Sequence, residues 1–450
     1  MEAKRRCLVA ACAAALLWVW APSALGRTGY LVNWSAGSVT PFDTVSDTAG
    51  PEINVDGSYP RYIAITPDGR TAYITNSGGD YVSTLDTATN TAGPEIPVGA
   101  STNWVAVSPN GRTAYVTTSA TVIPIDVADS TAQTPITVPG GAGAIAISPD
   151  GKTAYVTGGD EITPIDLATD TVATPIPVAA EFGPIAITPD GKTAYVASAA
   201  TVTPVNLATG TAGTPITYDE PFGPSPESAI AIAPDGETAY TADEGGGSIT
   251  PINLVTGTAL PSIELGTPGP ADVAVSPDGK TVWVPDLDDD RVTPIPTATN
   301  SPGASIYTGP CTEAPDCEPF GIAITPNQGP SAAFTATAGR AGTASTFDGS
   351  GSSDPDGTVA SYAWNFGDGS TTTTTTTTVA HTYTSAGTYT VTLTVTDNEG
   401  CSDALVFTGQ TASCNGTSAA EVSHTVTVAS GGRHRHHRRH RHRYRRRWWR

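Results

Sequence analysis

The chain has 450 residues, 38% hydrophobic and only 14% charged, with a net charge of -21 that is unevenly placed. Ten arginines lie in residues 433–450 and residues 1–26 carry a net +2, so residues 27–432 stand at -33. A body this acidic excludes nucleic acid and anionic membrane as its partners, since binding either needs basic groups that displace counterions.

Residues 1–26 have the marks of an export signal. Lys4, Arg5 and Arg6 precede an apolar run from Leu8 to Ala21, and Ala24 and Gly26 fit the small-x-small cleavage rule, so a mature start at Arg27 is expected. Val9-Ala-Ala-Cys12 resembles a lipoprotein box, but most of the apolar run follows that cysteine, which favours cleavage at Gly26. No later segment approaches the roughly 20 apolar residues of a membrane helix. The expected location is therefore secreted or extracellular, associated with the cell surface and without a membrane span.

A repeat begins at once. Thr66-Pro-Asp-Gly-Arg-Thr-Ala-Tyr-Ile-Thr75 returns in six copies whose prolines, 67, 109, 149, 189, 234 and 277, are spaced by 42, 40, 40, 45 and 43 residues. That period belongs to stacked or radial repeats. In the second unit, strands are predicted over 104–108, 113–117, 122–125 and 134–138, with Pro109-Asn-Gly111 as the turn of a tight hairpin. Four strands in about 40 residues make a β-propeller blade.

The ends complete the count. Arg27 to Asn33 matches Arg70 to Asn76, so the chain enters at the second strand of a blade, and Phe320 to Pro326 supplies the missing first strand. Six blades plus this composite predict seven over residues 27–326. Val284-Pro285 is expected to cut the second strand of blade six short. The recurring Asp (68, 150, 190, 235, 278) is expected to set the turn. The recurring Tyr (73, 115, 155, 195, 240) is expected to pack between blades with its hydroxyl on a partner. "SPDGKTAYVT" followed by "TPIDLAT" resembles the YVTN family of propeller repeats, and the resemblance implies an exported or surface-layer protein.

Cys311 and Cys317, then Cys401 and Cys414, form two close pairs. In an exported chain they read as local disulfides; metal is the alternative, but no histidine lies near either pair and neither has a C-x2-C spacing.

After Pro330 the period ends and Thr, Ser, Gly and Asp dominate. Residues 386–397 alternate as one long strand, and Trp364 and Phe366 share a face of another. Phe347 to Gly357, Tyr362 to Gly369, His381-Thr-Tyr383 and Ala386 to Asp397 together resemble the PKD domain, which implies an Ig-like β-sandwich over residues 330–428. Thr371 to Thr378 reads as a low-complexity loop, with Cys401 and Cys414 stapling a second insertion before the last strand at 421–428. The fold class expected is thus all-β, a seven-bladed β-propeller followed by an Ig-like β-sandwich.

Residues 429–450 read as a disordered basic tail, with ten Arg, five His, Trp448 and Trp449 in its last 18 residues. A cationic arm on an anionic wall polymer or lipid, a fold back onto the acidic body and no selected role all stay open. A metal tract is disfavoured because arginine outnumbers histidine two to one.

All seven histidines lie at or beyond residue 381, which excludes a Ser-His-Asp triad, a Cys-His pair and His-ligated zinc or haem iron within the ring. Carboxylates remain. Asp286, Asp288, Asp289 and Asp290 share one blade-six loop, and Asp354, Asp356 and Asp368 lie in turns of the second module. Calcium is the candidate cofactor for both sets, against an acidic solvated turn in the first and ordinary turn chemistry in the second. The function expected is a non-enzymatic binding or structural protein that engages protein or polysaccharide partners through its propeller loops, with the PKD-like module as spacer or adhesive unit. The alternative is a Ca2+-dependent hydrolase or lactonase using carboxylates in the propeller mouth.

Overall fold

The computed structural model describes residues 27–178, 183–198, 200–218, 229–266, 269–309 and 317–431. The leader, Cys311 and residues 432–450 of the tail lie outside the described residues. The strands from Thr28 to Ile324 form seven antiparallel sheets, the blades of a propeller.

Blade two shows the local logic. Val105–Val107, Thr113–Thr117 and Thr121–Asp126 pair in that order from the axis outward. The outermost strand, expected as one piece, is two, Thr131–Ala132 and Ile136–Thr137, each paired to Thr121–Asp126. Pro135 stands between the pieces and has no N–H to offer; Pro94, Pro175 and Pro215 interrupt blades one, three and four alike. In blade six the second strand is not shortened but runs Thr281–Asp286. Its inner neighbour pairs only at Ala274 and Val275, so the missing N–H of Pro285 lies beyond those pairs.

Thr28–Asn33 pairs with Ser38–Asp43 on one side and with Pro319–Ile324 on the other, Leu31 standing opposite Ile322. The ring is thus closed by the two ends of the propeller segment, as the incomplete first unit requires.

The Pro-Asp-Gly turns hold the ring as well as the hairpins. Asp68, Asp150, Asp190 and Asp278 each accept from the hydroxyl two residues earlier and from the amide two residues later. The turn glycines lie at φ between +67 and +72, a region that favours glycine. A Cβ on Gly191 would meet Pro149 at 3.3 Å, and one on Gly236 would meet Pro189 at 3.2 Å, so each turn seats on the proline of the blade before it. At the closure it is Gln328, two residues beyond the turn proline Pro326, that lies beside Gly69, and it donates to the Pro67 and Pro326 carbonyls at 3.3 and 3.0 Å.

The recurring tyrosines do pack between blades, but their hydroxyls differ. Tyr30 donates to Asn90 Oδ1 of the next blade at 2.7 Å. The Tyr73 hydroxyl is buried without a hydrogen-bond partner among the described residues, and that burial pushes its pKa up to about 12. Shape and apolar burial, not the hydroxyl, keep this tyrosine in place.

The C-terminal module is a sandwich of a three-stranded and a four-stranded sheet. Trp364, Phe366, Phe347, Tyr383 and Leu393 fill its core, and Tyr383 donates to the Phe366 carbonyl at 3.0 Å. The threonine run is not a loop. Thr371–Thr374 is an edge strand on Tyr362–Asn365, and Thr378–Thr382 pairs with Ala344–Asp348 in the other sheet. Threonine is β-branched and suits a half-exposed strand, so the repeated residue supports two strands joined by a short turn. Cys401 and Cys414 are disulfide-bonded, with Cα atoms 5.4 Å apart. Cys317 is also disulfide-bonded. Among the described residues no helix is long and apolar enough to cross a membrane.

Candidate functional site: the propeller mouth and the acidic junction

The propeller has two unlike faces. The Pro-Asp-Gly turns lie on one, beside the sandwich; the starts of the inner strands open on the other. Five residues before the turn proline, the seven blades carry Tyr62, Trp104, Ala144, Pro184, Ala229, Asp272 and Gly321. Small residues serve four blades; the two aromatics and Asp272 are departures that the repeat does not demand.

These aromatics belong to a continuous arc. Tyr62 stacks on Trp104 with ring centroids 3.7 Å apart, and meets Phe320 edge-on at 5.5 Å. The Arg61 guanidinium lies over the Phe320 ring at 4.7 Å, a geometry with cation–π attraction. Trp34, packed against the same cluster, has its ring 5.2 Å from that of Tyr59. Tyr59 is 53% exposed and stands at φ +53. That region is uncommon for a bulky side chain and costs on the order of 1–3 kcal/mol where it persists. Its ring lies where a Cβ on Gly78 would be 2.7 Å away, so glycine at 78 makes room for it.

Asp272 is the acid of this ring. Its carboxylate accepts from the amides of Ile322 at 3.1 Å and Val273 at 2.8 Å. Burial outweighs these two donors and pushes its pKa up to about 7. Such a group exchanges a proton near neutrality.

Three of the blade-six acids expected as a calcium site have protein partners. Asp286 is ion-paired with Arg291 at 2.8 Å, and Asp289 approaches the same guanidinium at 3.4 Å. Asp286 also accepts from the amide of Asp288 at 3.3 Å. Asp290 accepts from the amides of Cys317 and Glu318 at 2.7 and 3.0 Å. Asp368, also expected to bind calcium, pairs with His381 at 2.8 Å. Burial works to raise its pKa, but the Ser370 and His381 hydrogen bonds prevail and hold it down at about 2.

Asp354 and Asp356 do come together, with two acids that sequence reasoning missed, Asp397 and Glu399. Arg27 enters this group from the propeller. Its guanidinium is paired with Asp356 and, at 2.6 Å, with Glu399, and it also donates to Asn327. Both Asp354 oxygens, Asp356 Oδ1 and Asp397 Oδ2 are buried with no hydrogen-bond partner among the described residues. Burial, then the Asp397 charge, push the Asp354 pKa up to about 6, with Arg27 opposing. The donor set is the hard-oxygen chemistry calcium prefers, yet a guanidinium already stands among it, paired with two of the four acids. Among the described residues, no three His, Cys, Asp or Glu side chains are arranged to hold a metal ion.

What signal existed for these residues was weak. Trp104 and Asp272 stand out only once the blades are aligned, and nothing local ties Arg27 to acids more than 300 residues away.

Residues 327–411 match the PKD domain family. No curated protein matches the chain. Among solved structures, it is similar to the periplasmic gluconolactonase of Pseudomonas aeruginosa at 14% identity and a TM-score of 0.54, over 67% of this chain and 99% of that one. A putative 6-phosphogluconolactonase from Bacteroides uniformis is 18% identical, with a TM-score of 0.54 over 66% of this chain and 99% of that one. The hydrazine synthase of Kuenenia stuttgartiensis is 22% identical, with a TM-score of 0.50 over 57% of this chain and 89% of that one. At these identities the likeness is one of fold, a β-propeller, here followed by a PKD domain.

Proposed function

We propose that this chain is an exported, non-enzymatic binding protein of the cell surface, whose propeller holds a polysaccharide or protein partner at its aromatic mouth while the PKD domain serves as spacer or adhesive unit. The observation that carries this reading is the break in symmetry: exposed Tyr59 and half-buried Trp34 and Trp104 collect on one side of the mouth of an otherwise repetitive ring, backed by the buried rings of Tyr62 and Phe320. Aromatic faces supply large, rigid contact area to sugar rings and apolar side chains. The strongly acidic body favours neutral or basic partners over acidic ones. In the test, the mature chain is titrated with soluble neutral polysaccharides and with cell-surface protein extracts. Saturable binding that falls about tenfold in Trp104→Ala is expected, the loss of one interface anchor; binding to neither class, or binding unaffected by the substitution, would reject the reading.

The alternative, a Ca2+-dependent hydrolase or lactonase, draws its support from Asp272, a mouth carboxyl near neutrality in pKa that suits a general base. Lactone hydrolysis abolished by Asp272→Asn would favour it over the binding role.

A further inference from the structure

Every blade leaves one edge of its innermost strand facing the channel. Ile145–Ile147 of blade three and Ile185–Ile187 of blade four each pair on one side only. Such an edge presents backbone donors and acceptors that need partners. Here the partners come from the other module. Residues 401–414 of the PKD domain form a hairpin, Val406–Phe407 against Ala412–Cys414, whose tip reaches these edges. The Gly409 carbonyl accepts from the Ile147 amide at 2.8 Å, and Gln410 Nε2 donates to the Ile185 carbonyl at 2.8 Å.

The fit is close and apolar. Phe407 and Ala412, 2% and 3% exposed, join the core cluster of blades two and three that contains Ile145 and Ile147. Gly409 stands at φ +82, and a Cβ there would lie 2.6 Å from the Ile187 Cβ. What remains of the channel around the tip is a cavity of about 70 Å3 whose lining includes Asp272, Ile322, Gln410 and Ser413, room for a few waters but not for a chain.

The base of the hairpin is fixed as firmly as its tip. The Cys401–Cys414 bond closes it, and the Asn327 amide donates to the Ser413 carbonyl at 3.1 Å while the Asn415 amide donates to the Asn327 carbonyl at 2.9 Å. Cys401 and Cys414 are 1% and 6% exposed, so the seated hairpin shields its own staple from soluble thiols.

We propose that the stapled hairpin is a tethered stopper: it occupies the propeller channel from the turn face, completes the free edges of blades three and four, and makes the channel blind, so that a ligand enters only through the aromatic mouth. This role is independent of whether the ligand is a polysaccharide or a protein. Because the staple is buried, the stopper is a fixed closure and not a thiol-operated valve.

The test uses Gly409→Val in the full mature chain, with amide exchange at Ile147 followed by NMR. Loss of the Gly409 bond is expected to speed that exchange at least about tenfold, and a neutral gadolinium chelate is expected to broaden the Ile147 amide only in the variant. Retained mass of the disulfide and retained near-ultraviolet signal of Trp364 show that the sandwich itself is intact. Unchanged exchange at Ile147 would overturn the proposal. If the valine variant does not fold, Phe407→Ala, which removes the apolar seat of the hairpin against Ile145 and Ile147, replaces it. A rise of about threefold at Ile147 is then expected, and no rise overturns the proposal equally.

Discussion

The two faces of the ring are made from the same repeat yet differ in what completes them. On the turn face, the PKD domain supplies a hairpin to the open strand edges and an acidic pocket to Arg27, and the outcome is a sealed junction. On the opposite face no such cover lies over the starts of the inner strands among the described residues, and there the repeat gives way to aromatics, one of them at φ +53. A repeated scaffold provides position, and the residues that break the repeat provide specificity. The comparison predicts that residues of the sealed face carry stability and those of the mouth carry binding.

The largest effect is expected from Arg27→Ala. Arg27 is 7% exposed and is ion-paired with Asp356 and Glu399, which are 27% and 13% exposed. Removing one partner of such a buried group leaves charges without compensation, and about 3 kcal/mol of stability is expected to be lost. Calorimetry checks this: the propeller and PKD domain are expected to unfold in one transition in the native chain and in two in the variant. A single unshifted transition would mean that the junction is not sealed by charge.

Tyr59→Asn tests the other face. Asparagine tolerates the left-handed region better than tyrosine, so the loss of packing on Trp34 is offset and stability changes by less than about 0.5 kcal/mol. Partner binding nevertheless falls about tenfold. If thermal stability falls as far as in Arg27→Ala, the division between the faces is wrong.

How much of this could be read in advance depended on whether the information was local. The period of the turn prolines carried the blade count, and Arg27 to Asn33 with Phe320 to Pro326 carried the closure, because each strand resembles its neighbours. The alternation at 386–397 carried the longest strand of the sandwich. The threonine run was misread because low complexity hides a period of two. The outer strands were misread because the strand expected over 134–138 contains Pro135, and the two-residue piece Thr131–Ala132 before it is too short to show a period. Gly409 and Gln410 have no local mark of their destination; their partners, Ile147 and Ile185, lie in another module. Asp354 and Asp356 were visible as acids, but Asp397 read as the end of a strand and Glu399 carried no signal, so the pocket they form could not be assembled from spacing.

Arg27 also makes a prediction about calcium. In the native chain its guanidinium stands at the carboxylates that would ligate the ion, so millimolar calcium is expected to leave the melting temperature unchanged. Arg27→Gln keeps a donor but removes the charge. Free calcium about fivefold above its Kd is then expected to restore about 1 kcal/mol. Stabilisation of the native chain by calcium would show that guanidinium and ion do not compete.

The smallest effect is a pH dependence at the same junction. The Asp354 pKa, about 6 in the fold against 3.8 ordinarily, means that the folded chain holds this proton more tightly than the unfolded one. Stability from this group is therefore fully present below about pH 3.8 and is lost as pH rises through 6, the opposite of a salt-bridged carboxylate. Asp272, at about 7, acts with the same sign at slightly higher pH. Between pH 7 and pH 5 the native chain is expected to gain less than about 1 kcal/mol from Asp354 after solvent screening. Asp354→Asn removes the lower part of that gain and leaves the part near pH 7, which belongs to the mouth. Thermal melts at half-unit steps from pH 5 to pH 8 separate the two contributions. An identical slope in the variant and the native chain would place the whole titration in the mouth and none of it at the sealed face.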